Sequence, residues 1–312
     1  MALFLGMGAG SLFAADNGTG GRGAFDFLKL SPIARALGMG EAYTAAGDDV
    51  GSIFYNPAGL ASILTNEFNF TYLDLYQGVS DEFIAFAYPL GPQAPKIGGV
   101  LAASVNLLQF GTSDRTLNDG TASGTYSSGD SEFTLAYARE FGSYVHGGIS
   151  GSFLRQQIDT ASTSKVGVNA GVVVLPPVEG MRVGVAIKNL AAQADGFDLP
   201  MSLSTGISYR RYQLFGYHGD GAIDFDGDFA IKPIEDRTGL RVGLEYNYKW
   251  VGQRATLRVG YKFLDTDVSG VGLTVGGGYG MDWGGTVMVL DYAFAPNGDF
   301  GATHRISLST KF

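Results

Sequence analysis

Alternation of apolar and polar residues, sustained over segments of about ten residues, is the feature that most constrains this chain. In Leu240–Trp250 the apolar set is Leu240, Val242, Leu244, Tyr246, Tyr248 and Trp250, against Arg241, Gly243, Glu245, Asn247 and Lys249. In Arg254–Phe263 it is Ala255, Leu257, Val259, Tyr261 and Phe263, against Arg254, Thr256, Arg258, Gly260 and Lys262. Residues 199–209 and the final segment, with Ile306, Leu308 and Phe312 on one face, repeat the pattern. A period of two means a strand with one apolar and one wet face. A strand in a water-soluble sandwich runs about five or six residues. Segments of about ten suit strands tilted across a bilayer. Aromatic pairs near several strand ends (Tyr248 and Trp250, Tyr261 and Phe263, Tyr292 and Phe294) suit a girdle at the membrane interface.

Composition narrows the choice further. The 312 residues include 48 Gly, 16 Tyr and 21 Phe, with 16% charged side chains. Glycine costs about 1 kcal/mol relative to alanine inside a helix, whereas a strand wall uses it for bends and close approach. No apolar run reaches the roughly 18 residues that a membrane helix needs, so a membrane-spanning fold would have to be a closed barrel. The net charge of -9, with no basic cluster beyond Arg210-Arg211, speaks against nucleic-acid binding. The absence of cysteine excludes disulfides, thiolate metal sites and cysteine nucleophiles.

Residues 1–15 have the apolar core and small-residue exit of a partial secretory signal peptide, though no Lys or Arg precedes Arg22. An apolar first strand is the alternative. Residues 16–23 read as a flexible mature terminus. Residues 24–63 alternate poorly and are rich in Ala and Gly. Asn56 is a good helix cap and Pro57 suits a first helical turn. This segment is expected to fold as a plug, or hatch, inside the barrel formed by residues 64–312. Strands are expected at 67–76, 81–90, 97–110, 131–141, 144–157, 165–175, 181–190, 199–211, 224–234, 239–250, 254–264, 271–280, 285–295 and 302–312. The fold class is thus all-β, a fourteen-stranded antiparallel transmembrane β-barrel, with longer polar loops at 111–130, 158–164, 212–223 and 265–270.

The amino-terminal motifs Phe27-Leu-Lys-Leu, Ala34-Arg-Ala-Leu-Gly-Met-Gly-Glu-Ala-Tyr-Thr-Ala, Asp48-Asp49 and Asn56-Pro-Ala-Gly-Leu60 resemble the PorV/PorQ family within the FadL-like outer-membrane barrels. So does Asp291-Tyr-Ala-Phe-Ala-Pro-Asn-Gly-Asp-Phe-Gly leading into Thr303-His-Arg-Ile-Ser-Leu-Ser. The resemblance implies a fourteen-stranded barrel with an internal hatch in the bacterial outer membrane, among its lipids. It also implies delivery by the barrel assembly machinery, with terminal Phe312 as part of the assembly signal. FadL-like members pass small hydrophobic molecules. The PorV branch instead serves type IX protein secretion, beside the translocon.

Asp48, Asp49, Asn56, Pro57 and Gly59 are the candidate hatch or latch residues, or else a turn and a helix cap that only pack the plug. Arg241, Glu245, Lys249, Arg254, Arg258 and Lys262 share the inward face and are expected to form a lumen network holding the hatch. Gly98-Gly99, in a segment of weakened alternation, is the candidate lateral gate, or an ordinary bulge. Asp224, Asp226, Asp228 and Glu235 have an EF-hand-like spacing, but Phe229 stands where the turn glycine belongs, and a strand accounts for the segment better. His146, His218 and His304 have no ligand spacing, and His304 with nearby serines is the only opening for an enzyme. The expectation is therefore a non-enzymatic protein without metal or cofactor. An apolar pocket of roughly 300–1,000 Å³ between hatch and wall would favour passage of a hydrophobic molecule over secretion.

Overall fold

The computed structural model describes residues 25–75, 78–91, 98–116, 120–191, 199–212, 222–232, 237–263, 272–296 and 301–312, with the backbone alone at 191, 212, 222–232 and 237–238. The expected signal peptide at 1–15 and flexible terminus at 16–23 lie outside these residues, as do His218, Glu235 and the Asn297–Phe300 part of the second motif. The side chains of Asp224, Asp226 and Asp228 are likewise outside the description.

The strands are β1 (Glu67–Asp74), β2 (Ser80–Pro89), β3 (Val100–Thr116), β4 (Ala122–Phe141), β5 (Val145–Ile158), β6 (Ala161–Val174) and β7 (Met181–Ala191), followed by β8 (Ser202–Tyr212), β9 (Ala222–Lys232), β10 (Arg237–Trp250), β11 (Gln253–Phe263), β12 (Leu273–Trp283), β13 (Thr286–Pro296) and β14 (Ala302–Lys311). Each pairs antiparallel with its sequence neighbours. β1 also pairs with β14, from Glu67↔Lys311 to Asp74↔His304, so the sheet closes on itself and has no edge. The turns at 142–144, 251–252 and 284–285 share one end, called lower here, with the carboxyl terminus.

Two expected loops are largely strand. The polar stretch 111–130 extends the β3–β4 hairpin, with pairs such as Thr112↔Ser127 and Thr116↔Ala122. Residues 158–164 reduce to a tight turn, because β5 and β6 stay paired out to Ile158↔Ala161. Both hairpin tips are wet on both faces, so they carry no apolar alternation to betray them. Two register shifts, at Gln109/Thr112 and Asp114/Thr116, further break the period in β3.

The wall is inverted relative to a water-soluble protein. Phe70, Tyr72, Ile84, Phe86, Leu135, Ile149, Phe153, Leu257 and Ile306 are exposed on the outside. The inner face buries Asn106, Glu245, Arg258, Asp291 and Arg305. Buried charge of this kind must be paired. Some of the partners stand on neighbouring strands, and others, such as Arg35 for Glu245, come from the amino-terminal segment.

That segment runs through a 3-10 turn (Asp26–Lys29), α1 (Ala34–Gly38), α2 (Ser52–Tyr55) and a second 3-10 turn (Pro57–Ser62). The Asn-Pro pair works as its residue types predict: Asn56 accepts from the Ala58 N–H at 3.1 Å, with Pro57 opening the turn. Ala34, Ala36, Tyr43, Ala58 and Leu60 are fully buried against the inner wall. Two opposed glycine pairs make flat landing places. Gly148↔Gly171 receives Asn56–Ala58, and Gly243↔Gly260 receives Met39–Gly40. A Cβ at Gly260 would collide with the Gly40 backbone, and one at Gly148 with Pro57 and Ala58. Gly151, on the outer face, has nothing within 4 Å of its would-be Cβ.

Gly260→Val should therefore cost about 1–3 kcal/mol through overpacking. The expected readout is a lower thermal midpoint and faster proteolysis within residues 25–65, with the sheet intact by circular dichroism. Gly151→Val should leave both unchanged. Equal behaviour of the two variants would show that the segment does not rest on this wall.

Candidate functional site

Arg35 organises the interior. It projects from α1, whose small residues bring the helix close to β12 and β14: Gly38 packs on Gly276, and Ala34 donates its N–H to Ser307 Oγ at 3.4 Å. Its Nε and Nη2 bind both oxygens of Glu245 on β10, at 2.9 and 3.0 Å. Its Nη1 donates to Asp48 Oδ1 at 2.6 Å and Asp49 Oδ2 at 2.9 Å. The guanidinium carbon also stands 5.5 Å from the centre of the Tyr43 ring, whose hydroxyl donates to Asp49 at 2.7 Å.

From there the network runs into the wall. Asp48 Oδ2 accepts from Arg210 Nη1 on β8 at 2.7 Å, with Arg182 on β7 at 4.0 Å. Glu245 accepts from Arg258 Nε at 2.6 Å, and Arg258 Nη1 donates to Asp291 Oδ1 at 2.6 Å. Separate ties join Lys262 Nζ to Glu41 at 2.5 Å and Arg305 Nε to the Ser31 carbonyl at 2.6 Å. Glu67 accepts from the Val50 N–H at 3.0 Å and from Lys311 Nζ at 2.6 Å.

Burial acts against the ionised forms of Arg35, Glu41 and Asp48, and the pairing outweighs it. Burial would raise the Asp48 carboxyl, but the guanidiniums of Arg210, Arg35 and Arg182 hold it well below the ordinary range. Burial likewise opposes Glu41, yet Lys262 and Arg241 bring it below its usual value. Burial would lower Arg35, and Glu245, Tyr43, Asp48 and Asp49 keep it firmly charged.

Of the expected network, Glu245, Arg258 and Lys262 carry contacts that reach the segment directly or through one neighbour. Arg241 acts electrostatically on Glu41. Lys249, exposed at the lower end of β10, and the half-buried Arg254 make no hydrogen bond or ion pair to the segment among the described residues. Asp48 and Asp49 are tied in as described. Asn56 donates to the Thr44 carbonyl at 2.8 Å and the Val172 carbonyl of β6 at 3.4 Å. Gly59 packs against the Gly47 carbonyl.

Gly98 and Gly99 do not form a bulge within a strand. They lie before β3, with φ of 56° and 86°, tied by Tyr137 Oη to the Gly98 carbonyl and by the Leu90 N–H to that of Gly99. The β2–β3 ladder continues without a shift from Ser80↔Gln109 to Pro89↔Val100. Leucines at 107 and 108 simply alternate outward and inward, so the weakened sequence pattern reflects small residues rather than a bulge. Outside the β3–β4 hairpin, the described ladder shifts between β6 and β7 at Val168/Ala170. There Asn189 has φ 57° and donates its N–H to Asn169 Oδ1 at 2.7 Å. His304 sits outside, its Nδ1 2.8 Å from the Tyr292 hydroxyl, with no serine beside it in that contact.

Arg35, Arg182, Arg210, Asp291 and Arg305 are not among the residues expected in the network. A lone Arg within Ala34-Arg-Ala-Leu-Gly38 was the available signal, since a charge in an apolar run must find a buried partner.

A cavity of about 210 Å³ lies at the lower end between segment and wall, bounded by Arg35, Asp48, Glu245, Arg254, Asp291 and Lys311 among others. It is charged, not the apolar pocket expected of a hydrocarbon site. Apolar packing concentrates at the upper end, where Phe25, Phe27 and Leu28 meet Leu73, Leu75, Leu108, Leu154 and Leu199. Beside it, Leu28, Phe54, Lys188 and Asn189 bound two small cavities of about 50 and 10 Å³, with Lys188 Nζ 3.9 Å from the Phe54 ring centre.

No protein-family model and no curated protein matches the chain, so the likeness to PorV/PorQ rests on the motifs alone. Solved structures do match over nearly the whole length. The toluene transporter TbuX of Ralstonia pickettii is 12% identical with a TM-score of 0.59, over 92% of this chain and 98% of that one. The toluene transporter TodX of Pseudomonas putida is 10% identical with a TM-score of 0.55, over 90% and 97%. The monoaromatic hydrocarbon channel CymD is 12% identical with a TM-score of 0.54, over 93% and 99%. At these identities what is shared is the fold.

The ion-pair network predicts a pH dependence. Asp48 has a depressed value in the folded protein, so its stabilisation is complete above the ordinary carboxylate pKa of about 4 and fades as pH falls through the lower folded value. Asp48→Asn strips Arg35 and Arg210 of a partner and should cost about 3–5 kcal/mol near neutral pH. The gap in thermal midpoint between the two proteins should narrow progressively as pH falls below about 4. A gap independent of pH would show that the carboxylate charge is not what holds the segment.

Proposed function

We propose that this chain is a bacterial outer-membrane protein, a fourteen-stranded transmembrane barrel whose residues 24–63 form a hatch, and that it binds or passes a small hydrophobic molecule. The observation that carries this is the inverted wall, combined with the fold shared with hydrocarbon channels and toluene transporters. An apolar outer surface wrapped round a charged, filled interior suits lipid outside and a closed lumen inside. Exposed Phe141, Tyr144, Tyr248, Trp250, Tyr279, Trp283 and Phe312 cluster towards the lower end, as an interfacial girdle would.

The two ends of the hatch have different parts in this reading. Arg35, Asp48 and Asp49 anchor it to β8 and β10, Asn56 and Pro57 seat it against β5 and β6, and Gly59 lets it fold closely on Gly47. The apolar residues Phe25, Phe27 and Leu28 receive the ligand, which takes their place against Leu73, Leu108 and Leu154. Ligand entry therefore needs only the upper, apolar part of the hatch to move. No catalytic group is invoked.

Uptake of radiolabelled toluene by cells carrying the chain in their outer membrane should exceed that of matched cells without it. Leu28→Glu should reduce the excess several-fold, with the barrel intact by heat-modifiable migration on gels. Equal uptake with and without the protein would end the proposal.

A further inference from the structure

The β10–β11 hairpin sets cations directly opposite each other at two levels. Its turn at 251–252 pairs Lys249 with Arg254, Glu245 with Arg258, and Arg241 with Lys262, all on the inner face. Like charges directly opposite on a sheet are destabilising unless something neutralises them. At the upper level the hatch supplies the answer: Glu41 reaches Lys262 Nζ at 2.5 Å and lies in the field of Arg241. At the middle level the pair is complementary, and Glu245 also holds Arg35. At the lower level neither Lys249 nor Arg254 has a hydrogen-bond or ion-pair partner among the described residues. Glu245 and Asp291, the nearby carboxylates acting on Arg254, are already bound by Arg35 and Arg258.

Lys249 and Arg254 both line the lower cavity of about 210 Å³. Six basic and five acidic side chains line it, an excess of one positive charge. We infer that this cavity is a binding site for a small organic monocarboxylate, which lies between Lys249 and Arg254 as Glu41 lies between Arg241 and Lys262. A guanidinium fork accepts a carboxylate in a bidentate manner and the ammonium caps it. A dianion exceeds the single surplus charge and meets the five carboxylates, so phosphate is disfavoured. The site goes beyond the hydrocarbon reading. It exists whether or not anything passes the barrel, and benzoate binding without toluene uptake would sink the transport proposal while leaving this one standing.

Calorimetric titration of the full chain in detergent, with benzoate, benzyl alcohol and inorganic phosphate as probes, tests it. Benzoate should bind measurably tighter than the other two and raise the thermal midpoint. Arg254→Gln and Lys249→Gln should each weaken benzoate about tenfold or more, the loss of one charge-assisted hydrogen bond. Each should also raise the ligand-free midpoint by relieving the repulsion. Arg254→Lys, which keeps the charge, should retain part of the affinity. Heat-modifiable migration reports whether each variant is folded, and either neutralising variant alone suffices. Benzoate binding no tighter than benzyl alcohol, a preference for phosphate, or unchanged affinity in a folded neutralised variant would each overturn the inference.

Discussion

The pairing of Arg35 with Glu245 is the interaction on which the interior depends. A sheet that turns its apolar residues outward leaves polar and charged groups facing in, and closure removes the solvent that would otherwise satisfy them. Glu245 is 2% exposed and Arg258 6%. Without Arg35 the Glu245 carboxylate would keep Arg258, but Asp48 and Asp49 would lose the cation that joins them to β10. The amino-terminal segment is therefore the counter-charge of the wall, as well as filler for its volume. Its own sequence shows this division of labour: small residues for close contact, and a few charges for the ties.

Close contact needs a floor without side chains, and the wall provides it at the opposed glycine pairs. This gives the high glycine content a specific structural meaning. Gly148↔Gly171 and Gly243↔Gly260 are flat patches on which backbone meets backbone, and the charged residues stand between and beyond them. Packing and charge pairing fix the same register. A segment displaced by one residue would lift Gly40 off Gly260 and draw Glu41 away from Lys262 together.

How much of this could be read from the sequence varies with the range of the interaction. The strands were legible, because a period of two is a local signal repeated along each one. The pairing of Glu245 with Arg258 was also within reach, since a two-residue turn at 251–252 fixes which positions face each other. The polar hairpin tips were not legible, because residues such as Thr112 and Ser127 are wet on both faces and give no alternation. Arg210 with Asp48, and Arg305 with Ser31, join positions far apart in the chain, and no local pattern encodes them. The mistaken reading of Gly98-Gly99 has the same root. Weak alternation marks small residues, whereas a break in the ladder is a property of two strands at once, and it appears instead at Asn189.

The distribution of charge also limits how such an interior can open. The lower and middle parts of the segment are held by several buried ion pairs, and losing one partner of such a pair costs about 3–5 kcal/mol. Moving α1 bodily would break Arg35 from three carboxylates at once, a penalty comparable to the whole stability of a typical domain, about 5–15 kcal/mol. Residues 25–30 are held differently, by apolar contacts and the Asp26–Lys29 pair within their own turn, whose side chains are 31% and 21% exposed. An apolar group placed there would replace one set of apolar contacts with another. Motion is cheapest where the sequence is most hydrophobic, so the upper end of the segment is the part that can yield while the arginine network stays closed.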